Sequence, residues 1–171
     1  MSKQCGSCSK CCEGFLSESV FGNIFGKGKP CVFVDLTNKN CTIHEIAPKN
    51  PCGNYKCMWL KYEDVPLWMK PNVAPIIVSA ETYNGRDFLF LNTFHKEYSA
   101  KYLSYVIRYA DKNDLPLIYE IGPDQFVIHN HPDFFIDLFK NSNLFYWSNF
   151  NLTHEHERRE GFVKYLPLIV K

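Results

Sequence analysis

Cys5-Gly6-Ser7-Cys8-Ser9-Lys10-Cys11-Cys12 is a C-x2-C-x2-C-C run, three thiols at a stride of three with a fourth joined directly to the third. Four more cysteines follow at Cys31, Cys41, Cys52 and Cys57, and the remaining 114 residues contain none. Eight thiols gathered into the first third of a chain behave as ligands converging on a site. In C-x2-C the backbone turns so that two sulfurs face one ion, a spacing common to zinc knuckles and iron-sulfur loops. The triple stride matches the first three positions of the ferredoxin run C-x2-C-x2-C-x3-C-P, then departs from it with Cys12 and no Cys-Pro. The expected ligands are Cys5, Cys8, Cys11, Cys12, Cys31, Cys41, Cys52 and Cys57, and the triple stride favours an iron-sulfur cluster over zinc by a narrow margin.

Working outward, the 171 residues are 46% hydrophobic and include 14 Phe and 10 Tyr, enough for an apolar core without covalent staples. Net charge is +1, with 9 Lys against 6 acidic residues over 1–70 and 10 basic against 12 acidic residues beyond. With no basic stripe, the sequence argues against a nucleic-acid partner. Neither an apolar leader nor an 18-residue apolar run occurs, so the expectation is a soluble, cytoplasmic protein without a membrane partner. In that compartment eight clustered thiols read as metal ligands and not as four disulfides.

Between the thiols, Phe15, Leu16, Val20, Phe21, Ile24 and Phe25 have a spacing that predicts a short helix stopped by Gly26, Gly28 and Pro30. Cys31 to Leu36 and Cys41 to His44 read as a hairpin about Thr37-Asn38-Lys39-Asn40, bringing Cys31 towards Cys41 at its open end. Tyr55 and Trp59 flank Cys57, where aromatic rings would shield thiolates from water.

The cysteine run, together with Pro30-Cys31-Val32-Phe33, Cys41-Thr42-Ile43-His44, Pro48, Cys52, Tyr55 and Cys57-Met58-Trp59-Leu60, resembles the CxxCxxCC zinc- or iron-chelating family, the YkgJ-like cysteine-cluster proteins. The resemblance covers residues 5–60. His44 stands where the family usually has Tyr, Ala47 replaces the Arg before Pro48, and the gap to Cys52 is one residue longer. What the resemblance implies is metal chelation by the eight cysteines, without fixing the metal or the biochemical role.

Residues 59–75 are punctuated by Pro66, Pro71 and Pro75 but rich in Trp59, Leu60, Val65, Leu67, Trp68 and Met69, too apolar for a free linker. Hence the expected organisation is a cysteine-cluster module, 1–70, packed on an α+β domain, 71–171. Ile76 to Tyr83, Asn84-Gly85 and Arg86 to Asn92 form a hairpin signature, since Asn-Gly supplies the positive φ angles of a type I′ turn. Glu97 to Asn113 carries a helical stripe of Tyr98, Tyr102, Leu103, Val106, Ile107, Tyr109 and Ala110. A second hairpin is expected over 115–121 and 125–129, and Pro132 opens a short helix with Phe134, Phe135, Leu138 and Phe139. The order ββαββα predicts an α+β fold with an antiparallel sheet. Thr153 caps a charged helix expected from His154 to Lys164, whose acidic run reads as a solvated face.

His129-x-His131 and His154-x-His156 are poorly spaced for chelation, so structural or surface roles are expected for them; His44 is the histidine that supports the thiols at one remove. The chain lacks a Walker A loop, G-x-G-x-x-G, H-E-x-x-H and G-x-S-x-G. The functional expectation is a metal-binding protein whose centres are mainly structural and support a protein partner; the alternative is a redox or enzymatic component using an iron-sulfur centre.

Overall fold

The computed structural model describes residues 3–16, 18–26, 28–93, 99–122 and 125–141. Two compact units divide the chain, one built on the residues up to Ala80 with Asn92 and Thr93, the other on Glu81–Leu91 and the described residues from 99 onward, so that the division falls inside two strands.

The cysteine-bearing unit is made of short pieces. A wide turn at Cys11–Phe15 leads into β1 (Glu18–Val20) and β2 (Asn23–Phe25), which pair antiparallel with Val20 opposite Asn23. This hairpin replaces the helix expected there. Phe21 and Gly22 both take positive φ, 49° and 77°, and reverse the chain between them. Val20 and Phe25 then turn inward while Phe21 and Ile24 remain 61% and 67% exposed, so the apolar residues do not share one helical face. β3 (Val34–Asp35) and β4 (Asn40–Cys41) form the second hairpin, shorter than its sequence suggests, with Val34 opposite Cys41. Asp35 organises its turn: Oδ1 accepts from the backbone N–H of Thr37 and Asn38 at 2.8 and 3.0 Å, and Oδ2 accepts from Asn38 Nδ2 at 2.6 Å. Those bonds hold the Asp35 carboxyl below its ordinary range. A turn at Lys49–Gly53, the one-turn α1 (Met58–Lys61) and a 3₁₀ turn at Leu67–Met69 complete the series before the sheet.

A four-stranded sheet has the order β5 (Ile76–Tyr83), β6 (Arg86–Thr93), β7 (Leu117–Gly122), β8 (Gln125–His129). Asn84 and Gly85 take φ of 48° and 77°, as an Asn-Gly hairpin requires. β7 and β8 are antiparallel, with an irregularity between Glu120 and Gly122. β6 and β7 run parallel, Leu89 facing Leu117, because α2 (Ala100–Lys112) carries the chain back between them. The α+β class holds, and the sheet is mixed.

In the second unit, α2 buries Val106, Tyr109 and Ala110, a 3–4 spacing that continues the stripe read from sequence. Its end is closed by Asn113 Nδ2 donating to Tyr109 O at 2.8 Å and by Leu115 N–H donating to Ala110 O at 2.9 Å. α3 (Pro132–Asn141) packs Phe135 and Leu138 with Phe88, Ile118 and Ile128, and Phe134 meets Tyr83 edge-on at 5.9 Å. Burying a side chain such as Phe135 stabilises by about 1.5–3 kcal/mol. The residues beyond 141, including His154, His156 and the charged helix expected at 154–164, lie outside the described residues, as does the start of the helix expected from Glu97.

Candidate metal centre

All eight cysteines are free thiols, and the folding of the first unit sorts their surroundings. Cys8 N–H donates to Cys5 O at 3.0 Å, the tight turn that C-x2-C is suited to make. Lys3 and Gln4 are tied to a distant stretch of chain. Lys3 Nζ donates to Tyr62 O and Val65 O at 2.7 and 2.6 Å, and Lys70 Nζ to Gln4 O at 3.5 Å. That stretch starts at Cys57, the residue preceding α1, which also bridges Ser79; Ala80 N–H donates to Lys56 O, and the Tyr55 hydroxyl meets Ser79 Oγ at 3.1 Å. Cys57 is therefore held from both sides.

Cys12 has different company. Its carbonyl accepts from Cys31 N–H at 2.8 Å, and Cys12 packs against the cluster of Val20, Phe25 and Cys31. Val34 N–H donates to Cys31 O at 3.1 Å, which sets Cys31 just before the strand pair that places Cys41 opposite Val34. The turn carrying Cys52 packs against β1. Between the two surroundings, Glu13 accepts from Ser9 Oγ at 2.7 Å and Lys10 Nζ at 2.5 Å and pairs with Lys39 at 3.6 Å. Burial pushes the Glu13 carboxyl up, but the bonds from Lys10 and Ser9 outweigh it and hold the group below its ordinary range.

The electrostatics follow the same division in the main, crossing it where Cys12 acts on Cys11 and Cys5 on Cys12. Burial pushes the Cys11 thiol well up, and Cys57, Cys12, Cys8 and Cys5 add to the shift. Cys57 is pushed to about 11, first by burial and then by Cys5 and Cys8, while the backbone N–H groups of Leu60 and Trp59 pull the other way. Burial raises Cys5, Cys8 adds to it, and Lys70 opposes both. Cys12 is pushed to about 12 by burial, then by Cys31, Cys41, Cys52 and Cys5. Cys52 is raised by burial, by Cys41 and Cys31, and by Glu18. A cation that coordinates thiolate removes the reason for these shifts, because its charge favours the ionised form.

Lys3 and Lys70 are the contributors that sequence spacing does not reveal. Their ammonium groups lie 5.2 and 4.7 Å from the Trp59 ring centroid, bringing two positive charges to the stretch that follows Cys57. Trp59 is itself buried, and its indole N–H has no hydrogen-bond partner among the described residues. Gly14 is the other hidden contributor. Its φ is 96°, and a Cβ there would stand 3.2 Å from Gly28 N and 3.3 Å from Lys29 N and O, so only glycine lets this turn close on residues 28–29.

The histidines stand apart from the thiols. His44 is exposed in the turn after β4. His129 Nε2 lies 2.6 Å from Asp111 Oδ1, and His131 Nε2 lies 2.8 Å from Asp114 Oδ1 beside Arg86, so each ring takes its own carboxylate in the second unit. As placed, no three His, Cys, Asp or Glu side chains among the described residues form a group that could hold a metal ion. Thiolate donors are of the kind that suits a soft cation or an iron-sulfur cluster.

The chain matches no family model, no curated protein and no solved structure. Among the described residues, no helix is long and apolar enough to cross a membrane.

Proposed function

We propose that this is a metal-binding protein of the cysteine-cluster kind, in which the eight thiolates ligate zinc or iron-sulfur centres that hold the first unit in shape for a protein partner. The observation that carries the reading is the set of eight free thiols on the first 57 residues, among which backbone hydrogen bonds join Cys8 to Cys5 and Cys31 to Cys12. Bound metal supplies charge that keeps the sulfurs ionised and folding free energy that the short strands around them lack. For a partner, Phe21, Ile24, Val32, Leu36 and Ile46 are exposed apolar side chains on the cysteine-bearing segments. Singly such residues are ordinary, and together they suit an apolar partner surface.

The test is metal and sulfide analysis, with an ultraviolet-visible spectrum, on protein purified without oxygen. Iron with matching acid-labile sulfide and a broad thiolate-to-iron absorbance supports clusters; zinc without colour supports closed tetrathiolate sites. Protein that takes up neither zinc nor reconstituted iron and sulfide overturns the reading.

A further inference from the structure

We propose that Cys5, Cys8, Cys11 and Cys57 make one four-thiolate centre and Cys12, Cys31, Cys41 and Cys52 a second, joined through the peptide bond between Cys11 and Cys12. The partition rests on the metal-binding reading above and adds to it which sulfurs serve which centre.

Spacing alone leaves many ways to divide eight cysteines, but the backbone removes most of them. Cys5 and Cys8 share one tight turn, and Lys3 and Gln4, just before Cys5, are bonded to Tyr62, Val65 and Lys70 in the stretch that follows Cys57. Cys57 is the cysteine of that stretch. Cys12 is bonded through its backbone to Cys31, Cys31 is one turn from the strand facing Cys41, and the Cys52 turn sits against β1, whose Val20 shares a cluster with Cys31. Cys11 and Cys12 are consecutive, with Cα atoms about 3.8 Å apart. Neighbouring side chains leave the backbone in different directions, so one of the pair serves each set.

Four thiolates complete the shell of a tetrahedral zinc and equally that of a cubane cluster, so eight divide with no ligand left over; since no three of the described side chains stand close enough to share an ion in this arrangement, binding would draw each set inward. Their surroundings differ in sign. The first set has Lys3 and Lys70 at hand, and the turn carrying Cys52 in the second packs against β1, the strand that Glu18 opens. A tetrathiolate centre carries net negative charge, which nearby ammonium groups stabilise and a carboxylate opposes. The first centre therefore holds its metal more tightly, and the second exchanges first.

The partition is tested on the full chain loaded with cadmium-113 in place of the native metal. Proton–cadmium correlation is expected to connect the β-protons of Cys5, Cys8, Cys11 and Cys57 to one cadmium signal and those of Cys12, Cys31, Cys41 and Cys52 to another. A cysteine correlating with the opposite signal, or all eight with a shared set of signals, overturns the partition. Metal counting on double variants gives an independent arm. Cys5→Ser with Cys57→Ser, and Cys41→Ser with Cys52→Ser, are each expected to retain one cadmium per chain, whereas Cys57→Ser with Cys41→Ser retains none. A crossed pair that keeps one metal while either matched pair keeps none overturns the assignment. Wild-type protein that binds two metals in another pattern refutes the partition alone; wild-type protein that binds none refutes the metal reading beneath it.

Discussion

Residues 3–57 and the second unit keep their shape by different means. Among the described residues of the first stretch, the buried apolar set is Val20, Phe25, Cys31 and Cys57, half of it cysteine, and no strand exceeds three residues. The second unit has longer strands, helices of 13 and 10 residues, and Phe88, Leu89, Ile118 and Phe135 almost wholly removed from water. Apolar burial suffices for one, whereas the other has little of it, and the proposed ions would supply the cross-links that its packing lacks. The lesson is that composition averaged over a chain hides a local deficit: the 46% hydrophobic content serves the sheet, while the cysteine loops bury few apolar side chains of their own.

The comparison breaks most readily under chelation. Each structural tetrathiolate site contributes on the order of 10 kcal/mol of apparent binding energy, so removing metal is expected to expose the amides of residues 3–57 to hydrogen exchange and leave those of β7, β8 and α3 protected. Loss of protection in both regions together would show that their stabilities are not separate. Alkali and acid sharpen the same contrast. Cys12 and Cys57 have folded-state pKa values raised to about 12 and 11. The unfolded thiols ionise first, so the metal-free protein loses stability as pH rises from about 9, the ordinary thiol value, through those values. The loaded protein has ionised sulfurs and fails at the other end, as acid protonates them and releases the ion. Thermal melts of both forms from pH 5 to 11 are expected to give opposite slopes.

Phe135→Ala probes the apolar side of the comparison, with an expected loss of about 3–5 kcal/mol in denaturant unfolding of the second unit and no change in metal per chain. Gly14→Ala probes the other side: the left-handed φ and the close approach to residues 28–29 make it cost about 1–3 kcal/mol, read as a lower melting temperature and weaker metal retention. The smallest effect belongs to Lys70→Gln, which removes a cation–π contact of about 0.5–1 kcal/mol. The expected result is a few-fold faster loss of one metal to a chelator and no change at the other.

Much of the second unit is legible in the sequence because its signals are local. Asn84-Gly85 fixes a hairpin by backbone sterics, the 3–4 spacing of Val106, Tyr109 and Ala110 fixes a helix, and Pro132 marks a helix start. Strand direction was not local: the parallel pairing of β6 with β7 depends on where α2 returns the chain. The stretch from Phe15 to Phe25 misleads because burial there is decided by a two-residue reversal, which sends Phe21 and Ile24 outward and breaks the apparent stripe. The eight cysteines stand out by their spacing. Lys3 and Lys70 do not, since their roles arise from contacts with residues some 60 positions away.

The strap from Lys3 to Tyr62 and Val65 also sets an order of events during synthesis. Cys11 leaves the ribosome 46 residues ahead of Cys57, which at 5–20 residues per second is a wait of about 2–9 s. Three thiols at close stride are thus open to stray metals and oxidants before the residues that enclose them have been made. A nascent chain that stalls within that interval presents these thiols uncovered, and the cell's handling of free thiols then decides whether it is completed or lost.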